Sequence, residues 1–337
     1  MKKTIVMLMA ILLLPLTCLA DGKKDGKTFT VLQWNIWQEG TMVKGGYEAI
    51  LNELERLRPD YVTFSEVRNY RDDFIARVCK DMAKRGVVYY GFRSDDTGLL
   101  SSTPITVHKT VFLLKDDHGS IYKLETKVCG RKLALYTSHL DYLNDTYYEV
   151  RGVDGNTFKE MEPLTDVDEI LRRNALSMRD KAIANFLKEA KRDQERGFIT
   201  IIGGDFNEPS VQDWTEQTRD LYDHHGVVIA WPQTTALIKA GFNDCYRTVH
   251  PNVLTHPGFT FPSDNPDVDP NKLTWAPKSD ERDRIDYLFF RGKGIKVTEC
   301  KLFGPEGNIA YAKRVPLGTD EPIITPLATW PTDHKGV

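Results

Sequence analysis

The stretch that decides the fold reads FITIIGGDFNEPS and spans residues 198–210. Its first five residues form a compact apolar run of the kind that makes a buried strand. The two glycines that follow predict a close approach of neighbouring backbone, because glycine carries no side chain to hold neighbours apart. Asp205 and Asn207 come directly after the glycines. The stretch therefore predicts a strand that delivers polar side chains to the edge of a sheet.

Four further parts of the chain repeat this pattern of an apolar strand followed by a polar side chain. They are VLQWNIW with Asn35, PDYVTFSEV with Glu66, LALYTSHLDY with His139 and Asp141, and the pair DRIDYLFF and PTDHKGV with Asp286, Asp333 and His334. Strand ends join a rigid scaffold to its loops, so they suit a preorganised site. Asp, Glu and Asn offer the oxygen ligands that a hard cation such as Mg²⁺ prefers, and His moves protons near neutral pH. One such residue carries little weight, but together they predict a metal-assisted active site.

Helical and strand patterns mix along the chain without strict alternation. Helices are predicted at 47–57, 74–83 and, as one long element, 168–195, and strands at 28–36, 61–64, 87–92, 107–114, 121–127, 132–138, 198–202, 285–290 and 295–302. This order predicts an α/β fold with two packed mixed or antiparallel β-sheets flanked by helices. No linker-like stretch interrupts the folded part, so residues 29–337 are predicted to form one domain.

The overall charge of the chain bears on whether long nucleic acid is its substrate. The 337 residues carry a formal net charge of -3. A protein that grips long nucleic acid mainly through phosphate contacts is expected to be strongly basic. The charge therefore argues mildly against long polynucleotide substrates, although a metal site can hold a scissile phosphate by itself.

The first 20 residues have the three-part layout of a secretory signal peptide. Lys2 and Lys3 precede an apolar run that is too short for a membrane span, and Ala20 offers a small residue for cleavage. Residues 21–28 are polar and read as a flexible leader. We expect a secreted or periplasmic protein with no transmembrane segment; the alternative is a lipoprotein anchored at Cys18.

The remaining cysteines are Cys79, Cys129, Cys245 and Cys300. Four cysteines allow three full pairings, and the sequence does not choose among them. Their spacing does not match a zinc site. Isolated buried thiols are the simpler interpretation, and export would permit disulfides without requiring them.

The motifs GGDFNEPS, DRIDYLFF and TDHKGV resemble those of the endonuclease/exonuclease/phosphatase superfamily, which includes pancreatic-type deoxyribonuclease, AP endonuclease and bacterial neutral sphingomyelinase. The resemblance runs in order from Thr28 to the end of the chain. Within the superfamily, NEPSVQDW, AWPQTTALIKAGFND and HPGFTF are similar to an exported bacterial and fungal branch. The resemblance implies a four-layer α/β sandwich.

The resemblance also implies a role for each candidate residue. Asn35 and Glu66 correspond to the first metal-binding pair, and Asp333 joins them as a metal residue; Mg²⁺ is the implied ion, with Mn²⁺ or Ca²⁺ as alternatives. Asp205 and Asn207 position the nucleophile or a second ion and contact the phosphate. His334 is the implied general base, oriented by Asp286. His139 is the implied second histidine, which protonates the leaving group or holds the phosphate charge.

Two further candidates rest on position alone. Asp141 lies two residues after His139, so on a strand it faces the same side and could hold a substrate hydroxyl or the histidine; a surface role is the alternative. Arg68, just past Glu66, is a candidate contact for substrate phosphate, with a solvated arginine as the alternative. The chain ends three residues after His334, whereas the relatives continue into a final strand. If this end is truncated, the sheet edge beside His334 is expected to be incomplete.

The sequence therefore predicts an exported, monomeric, Mg²⁺-dependent phosphoesterase that hydrolyses a phosphodiester with a His-activated water. The substrate is a phosphate ester that the sequence does not identify. One alternative is an extracellular nuclease acting on DNA or RNA. Another is a non-catalytic binding module that keeps the fold.

Overall fold

The computed structural model describes residues 27–114 and 119–337. The predicted signal peptide, Cys18 and all but the last two residues of the predicted leader lie outside these ranges. No helix in the described ranges is both long enough and apolar enough to cross a bilayer.

Within the described ranges the chain forms fourteen strands and seven α-helices, with a 3₁₀ turn at Pro270–Lys272. The strands are β1 (Val31–Asn35), β2 (Tyr61–Val67), β3 (Tyr90–Gly91), β4 (Asp96–Ser101), β5 (Val107–Leu113), β6 (Gly119–Val128), β7 (Arg131–Leu140), β8 (Ile199–Asp205), β9 (Asn243–Asp244), β10 (Asp286–Arg291), β11 (Leu302–Phe303), β12 (Asn308–Ala310), β13 (Lys313–Val315) and β14 (Ile323–Ile324). The helices are α1 (Gly46–Leu57), α2 (Phe74–Lys84), α3 (Thr146–Val150), α4 (Val167–Asn174), α5 (Arg179–Glu195), α6 (Pro232–Lys239) and α7 (Cys245–Val249).

Two mixed sheets form the centre of the molecule. The four-stranded sheet has the order β1-β2-β4-β3, with β1 and β2 parallel. The six-stranded sheet has the order β5-β6-β7-β8-β10-β9, with β7 and β8 parallel and the other neighbours antiparallel. In both sheets the parallel pair brings two carboxyl ends of strands to the same edge.

Apolar side chains fill the space between the sheets and both outer faces. Between the sheets, residues such as Leu99, Leu135 and Ile201 form one cluster. On the outer face of the four-stranded sheet, Ile50 of α1 and Val78 of α2 are buried, and α5 and α6 cover the outer face of the six-stranded sheet. The order is therefore helices, sheet, sheet, helices, which confirms the predicted four-layer α/β sandwich.

The glycine pair in β8 permits close contacts both with the opposite sheet and with the neighbouring strand. A Cβ on Gly203 would lie 2.3 Å from Thr63 Oγ1 of the opposite sheet. A Cβ on Gly204 would lie 1.9 Å from Ser138 Oγ of the neighbouring strand. Real Cβ atoms do not approach this closely, so the close backbone approach predicted from the sequence is confirmed, and it seats β8 deep between its neighbours.

The prediction of one long helix over 168–195 is wrong. α4 ends at Asn174 and α5 begins at Arg179. The Asn174 side chain donates to Glu208 Oε2 at 2.7 Å and accepts from Arg179 Nη2 at 2.6 Å. Ser177 Oγ accepts from the backbone amide of Arg179 at 3.3 Å. The Ser177 bond gives a backbone amide a partner other than a helical carbonyl, and the Asn174 bonds fix the end of α4, which together explain the break.

The predicted strand over 295–302 is also wrong, since only Leu302 lies in a strand there. Both edges of β10 are already paired, one with β8 and the other with β9. The segment instead packs Ile295 and Val297 against the cluster between the sheets. Conversely, β4 was not predicted, and this omission matters for the site described next.

Candidate active site

Strand register brings most of the predicted site residues to one rim. In the six-stranded sheet His139 lies opposite Asp205, and Asp205 lies opposite Asp286, so three adjacent strands present them side by side. In the four-stranded sheet Asn35 ends β1 and pairs with the residue before Glu66. The two rims face each other across the sandwich, and the site forms between them.

The Asn35 carboxamide links the two rims. Its Nδ2 donates to Glu66 Oε1 at 3.1 Å in its own sheet and to Asp205 Oδ2 at 2.9 Å in the other. The same nitrogen lies 3.3 Å from His334 Nε2. Asn35 is fully buried, so these bonds form away from bulk water, where each is worth more.

A β-bulge aims the Glu66 side chain at the site. The pairing of β2 with β4 shifts between Ser65 and Val67, and Glu66 has a φ of 66°. A left-handed conformation costs a side-chain-bearing residue about 1–2 kcal/mol. Because of the bulge, Ser65 still points into the space between the sheets, where its Oγ accepts from the amide of Asp205 at 3.1 Å, and Glu66 turns toward Asn35.

His334 and Asp286 form a buried pair. His334 Nδ1 lies 2.8 Å from Asp286 Oδ2, and the other oxygen of Asp286 accepts from Gln33 Nε2 at 3.3 Å. The ring of Phe261 packs on the imidazole at a centroid distance of 4.8 Å. Burial lowers the pKa of His334, but the charges of Asp286 and Asp205 outweigh it and raise the pKa to about 10. The remaining ring nitrogen, Nε2, faces Asp205 Oδ2 at 3.7 Å.

The residues around His334 hold it by backbone and aromatic contacts. Trp330 Nε1 donates to the carbonyl of His334 at 3.0 Å, and the amide of Lys335 donates to the carbonyl of Thr260 at 2.7 Å. Val337 exchanges two backbone hydrogen bonds of 2.9 Å with Gln33 in β1. The segment after His334 therefore pairs with the same strand that delivers Asn35.

A second histidine–carboxylate pair lies on the other side of Asp205. His139 Nδ1 lies 2.9 Å from Asp96 Oδ2, and its Nε2 lies 3.9 Å from Asp205 Oδ2. Burial lowers the pKa of His139, but Asp96 more than compensates, so the pKa rises to about 9. Asp96 begins β4 and has a φ of 64°. The sequence pattern of polar residues at strand ends does not reveal Asp96, because Asp96 stands at the start of a strand, inside a turn-like SDDTG stretch.

Glu66, Asp205 and Asp333 bring three carboxylates to the rim around Asn35 and His334, and carboxylate oxygens are ligands that a divalent cation takes. Burial, and then the neighbouring Asp286, raise the pKa of Asp205 to about 6. Burial raises the pKa of Asp333 to about 7, with His334 opposing this and Glu66 adding to it. Among the described residues, no lysine or arginine donates to these three carboxylates, and the two histidines offset their charge in part. A divalent cation would offset it further.

Asp205, Asp286 and His334 also place one ligand-type atom each within 4.8 Å of one another. Asp286 Oδ2 and His334 Nδ1 are already bonded to each other, so this trio is better described as an acid–base pair beside Asp205. Glu66, Asn35 and Asp333, the metal residues that the sequence predicts, lie on the other side of Asp205 and do not form so close a group.

Three sequence candidates lie beside this centre and are engaged elsewhere. Asn207, with a φ of 47°, donates from Nδ2 to the carbonyl of Leu140 at 2.8 Å. Arg68 donates to Asp96 Oδ1 at 2.7 Å, so it reaches the carboxylate that holds His139. The Asp141 side chain accepts from the amides of two residues, Leu143 at 3.0 Å and Met178 at 2.8 Å. The phosphate and substrate contacts predicted for these three residues stay predictions.

Two stacked mixed sheets carry a carboxylate group and two histidine–carboxylate pairs at one rim, an arrangement that is consistent with a phosphoester hydrolase. The Endonuclease/Exonuclease/phosphatase family pattern matches residues 32–334, and the chain belongs to this family. The family match confirms the resemblance that the motifs indicate. Members of this family are hydrolases that act on phosphodiester bonds.

Individual relatives are distant. The uncharacterized protein F14F9.5 of Caenorhabditis elegans is 26% identical over 343 residues, which cover 99% of this chain and 98% of that protein. Among solved structures, a humanized D. rerio TDP2 is 17% identical with a TM-score of 0.49, covering 91% of this chain and 96% of the other. The human Nocturnin catalytic domain with bound sulfate is 17% identical with a TM-score of 0.46, covering 92% and 94%.

Replacing Asp96 with asparagine tests the second pair. Because the Asp96 charge offsets the burial of His139, we expect Asp96→Asn to lower the pKa of His139 from about 9 by one unit or more. NMR titration of the imidazole in EDTA measures this value. The matched control is Asp95→Asn, which neutralises the adjacent, largely exposed carboxylate and should leave the pKa unchanged. Equal His139 pKa values in the two variants would contradict the assigned pairing.

Proposed function

We propose that this protein is a Mg²⁺-dependent phosphodiesterase that activates water with His334. The observation that carries the proposal is the orientation of the His334 ring. Its Nδ1 is tied to Asp286 at 2.8 Å, and its Nε2 faces the space between Asn35, Asp205 and Asp333. A substrate phosphate and an attacking water would meet in that space.

His334 acts as the general base. Donation from Nδ1 to Asp286 fixes the tautomer, so the lone pair of the neutral ring is on Nε2. That atom takes the proton from the attacking water, and Asp286 stabilises the charged ring that results. Gln33 in turn holds the second oxygen of Asp286. A well-placed base of this kind contributes about 10²–10⁴-fold to the rate.

Glu66, Asn35 and Asp333 are the residues that would hold the ion. The bound ion would polarise a phosphoryl oxygen, offset leaving-group charge, and screen the carboxylates that raise the pKa of His334. Glu66 brings one oxygen toward Asn35, and its other oxygen accepts from the amide of Gln38 at 2.9 Å. Asp205 stands between the two histidines, where it orients the attacking water.

His139 acts on the opposite side of the reacting phosphorus. A pKa of about 9 keeps its ring protonated at neutral pH, so it carries positive charge and a proton. Asp96 occupies Nδ1, which leaves Nε2 to donate to the phosphate or to the leaving oxygen. The two histidines therefore divide the work, since one receives a proton and the other supplies one.

The substrate we propose is a small or non-nucleic phosphodiester. The net charge of -3 and the absence of a basic stripe in the sequence support this choice over duplex DNA. A nuclease acting on DNA or RNA is the second candidate, because the family includes endonucleases and exonucleases and the catalytic group would serve either substrate.

A metal and substrate panel tests the reaction. We expect hydrolysis of bis-p-nitrophenyl phosphate with Mg²⁺, loss of turnover in EDTA and recovery on adding Mg²⁺ or Mn²⁺. DNA, RNA and sphingomyelin assayed in parallel rank the substrate classes, and faster cleavage of DNA or RNA would favour the nuclease. Turnover that survives EDTA would contradict the metal dependence. Ligand binding without Mg²⁺ and without turnover on any substrate would favour a non-catalytic module.

Substitutions test the assigned roles. We expect His334→Ala and Asp205→Asn each to lower kcat about 10²-fold or more, because they remove the base and the group that orients its water. His108→Ala on the exposed face of β5 and Asp220→Asn on an exposed loop are the matched controls and should keep wild-type rates. Circular dichroism checks that each variant is folded. Near-normal kcat in both site variants would rule out these roles.

We also propose that the protein is exported, on the strength of residues 1–20 alone. N-terminal sequencing of protein collected from the periplasm or medium should give a mature chain that begins at Asp21. A chain that begins at a lipid-modified Cys18 would instead identify a lipoprotein. Protein found only inside the cell with Met1 intact would contradict export.

A further inference from the structure

The turn directly after Asn35 is strained. Trp37, Gln38, Glu39 and Gly40 have φ values of 39°, 55°, 63° and 69°. Residues with side chains rarely adopt this left-handed conformation, and three of these four carry side chains. A run of this kind persists only where surrounding contacts hold it, so its contacts indicate what it does.

The turn directs two amides at the predicted ion ligands. The amide of Trp37 donates to Asn35 Oδ1 at 3.0 Å, and the amide of Gln38 donates to Glu66 Oε2 at 2.9 Å. The amide of Glu39 adds a bond of 3.1 Å to the backbone carbonyl of Glu66. The turn thus fixes one oxygen of each ligand: Glu66 Oε2, which leaves Oε1 for the ion site, and Asn35 Oδ1, the one atom of the carboxamide that can bind a cation, through its second lone pair.

The Glu39 side chain holds the turn from behind. It is only 2% exposed, and both of its oxygens are occupied away from the ion site. Oε1 accepts from the amide of Asn69, and Oε2 lies 3.2 Å from Arg77 Nη2 on α2. The Arg77 guanidinium is in turn packed over the Tyr47 ring at 4.5 Å. Glu39 therefore ties the strained turn to the segment after Glu66 and to a packed helix.

A second contact holds the turn from the surface. Tyr70 Oη donates to Gln38 Oε1 at 2.5 Å, although the Tyr70 side chain is 56% exposed. Tyr70 follows Asn69, so both contacts join the turn to the same short segment after β2. The turn and that segment enclose Glu66 between them.

We propose that Glu39 is a positioning residue for the ion ligands Glu66 and Asn35, acting through the left-handed turn Trp37–Gly40. The inference rests on the proposed metal dependence. Glu39 does not bind the ion itself, because Asn69 and Arg77 occupy its carboxylate. Removing its charge releases the turn, and the two amides then no longer fix the ligands. Groups that orient metal ligands in this way typically change metal affinity 10- to 100-fold.

Calorimetry of Mg²⁺ binding to the full chain, without substrate, tests the inference. We expect Glu39→Gln to weaken Mg²⁺ binding about 10- to 100-fold. The matched control is Glu53→Gln, since Glu53 is 1% exposed and also accepts from one backbone amide, that of Leu327, and from one arginine, Arg56. Both variants lose a comparable buried carboxylate and some thermal stability, but Glu53→Gln should keep the wild-type Kd for Mg²⁺.

A surface variant covers the case in which Glu39→Gln does not fold. Tyr70→Phe removes one hydrogen bond to the turn from an exposed position and should weaken Mg²⁺ binding roughly two- to tenfold. Wild-type affinity in Tyr70→Phe, together with a Glu39→Gln protein that is unfolded or binds as tightly as Glu53→Gln, overturns the inference. A wild-type protein that binds neither Mg²⁺ nor Mn²⁺ overturns the proposed function, and the inference with it.

Discussion

The hydrogen bond from Asn35 Nδ2 to Asp205 Oδ2 joins the two sheets at the rim that carries the candidate site. Three carboxylates and two histidine–carboxylate pairs converge there, and like charges in a buried place repel one another. The sandwich tolerates this concentration because its packing is secured elsewhere, in the cluster between the sheets and in the two helix layers. Burial first, and then the neighbouring carboxylates, raise the pKa of Asp205 to about 6 and that of Asp333 to about 7. A divalent cation is the partner that would reduce this repulsion and use the same oxygens for chemistry.

Part of the backbone strain lies at the same rim. Glu66, Asp96 and Asn207 are all left-handed, and the turn Trp37–Gly40 adds a run of such residues. A regular strand sends successive side chains to opposite faces, so it cannot deliver Ser65 to the space between the sheets and Glu66 to the rim without a bulge. The strain at Glu66 therefore lies where regular strand geometry and the site geometry conflict. Stability elsewhere in the fold compensates for it.

The layers and most of the site could be predicted from sequence because both follow from local patterns. Apolar runs that end in Asn35, Glu66, His139 and Asp205 mark carboxyl ends of strands, and parallel pairing then brings those ends together. Asp96 and Glu39 could not be found this way. Asp96 begins a strand. Glu39 lies in a turn whose importance depends on contacts with Asn69 and Arg77, which are 30 and 38 residues away along the chain. The break between α4 and α5 was missed for the same reason, since Asn174 is held by the distant Glu208.

In the proposed mechanism the two histidines need opposite protonation states, although the pKa of each ring is raised. Each ring gives Nδ1 to a buried aspartate and turns Nε2 toward Asp205. Their surroundings differ. His334 adjoins Asp333 and Asn35, on the side of the site where the ion is proposed. His139 is held by Asp96, which Arg68 also contacts. A cation placed between Glu66 and Asp333 would screen the carboxylates around His334 more than the Asp96 carboxylate beside His139. The same ion would therefore make His334 easier to deprotonate while leaving His139 charged, which is the division that general base and general acid require.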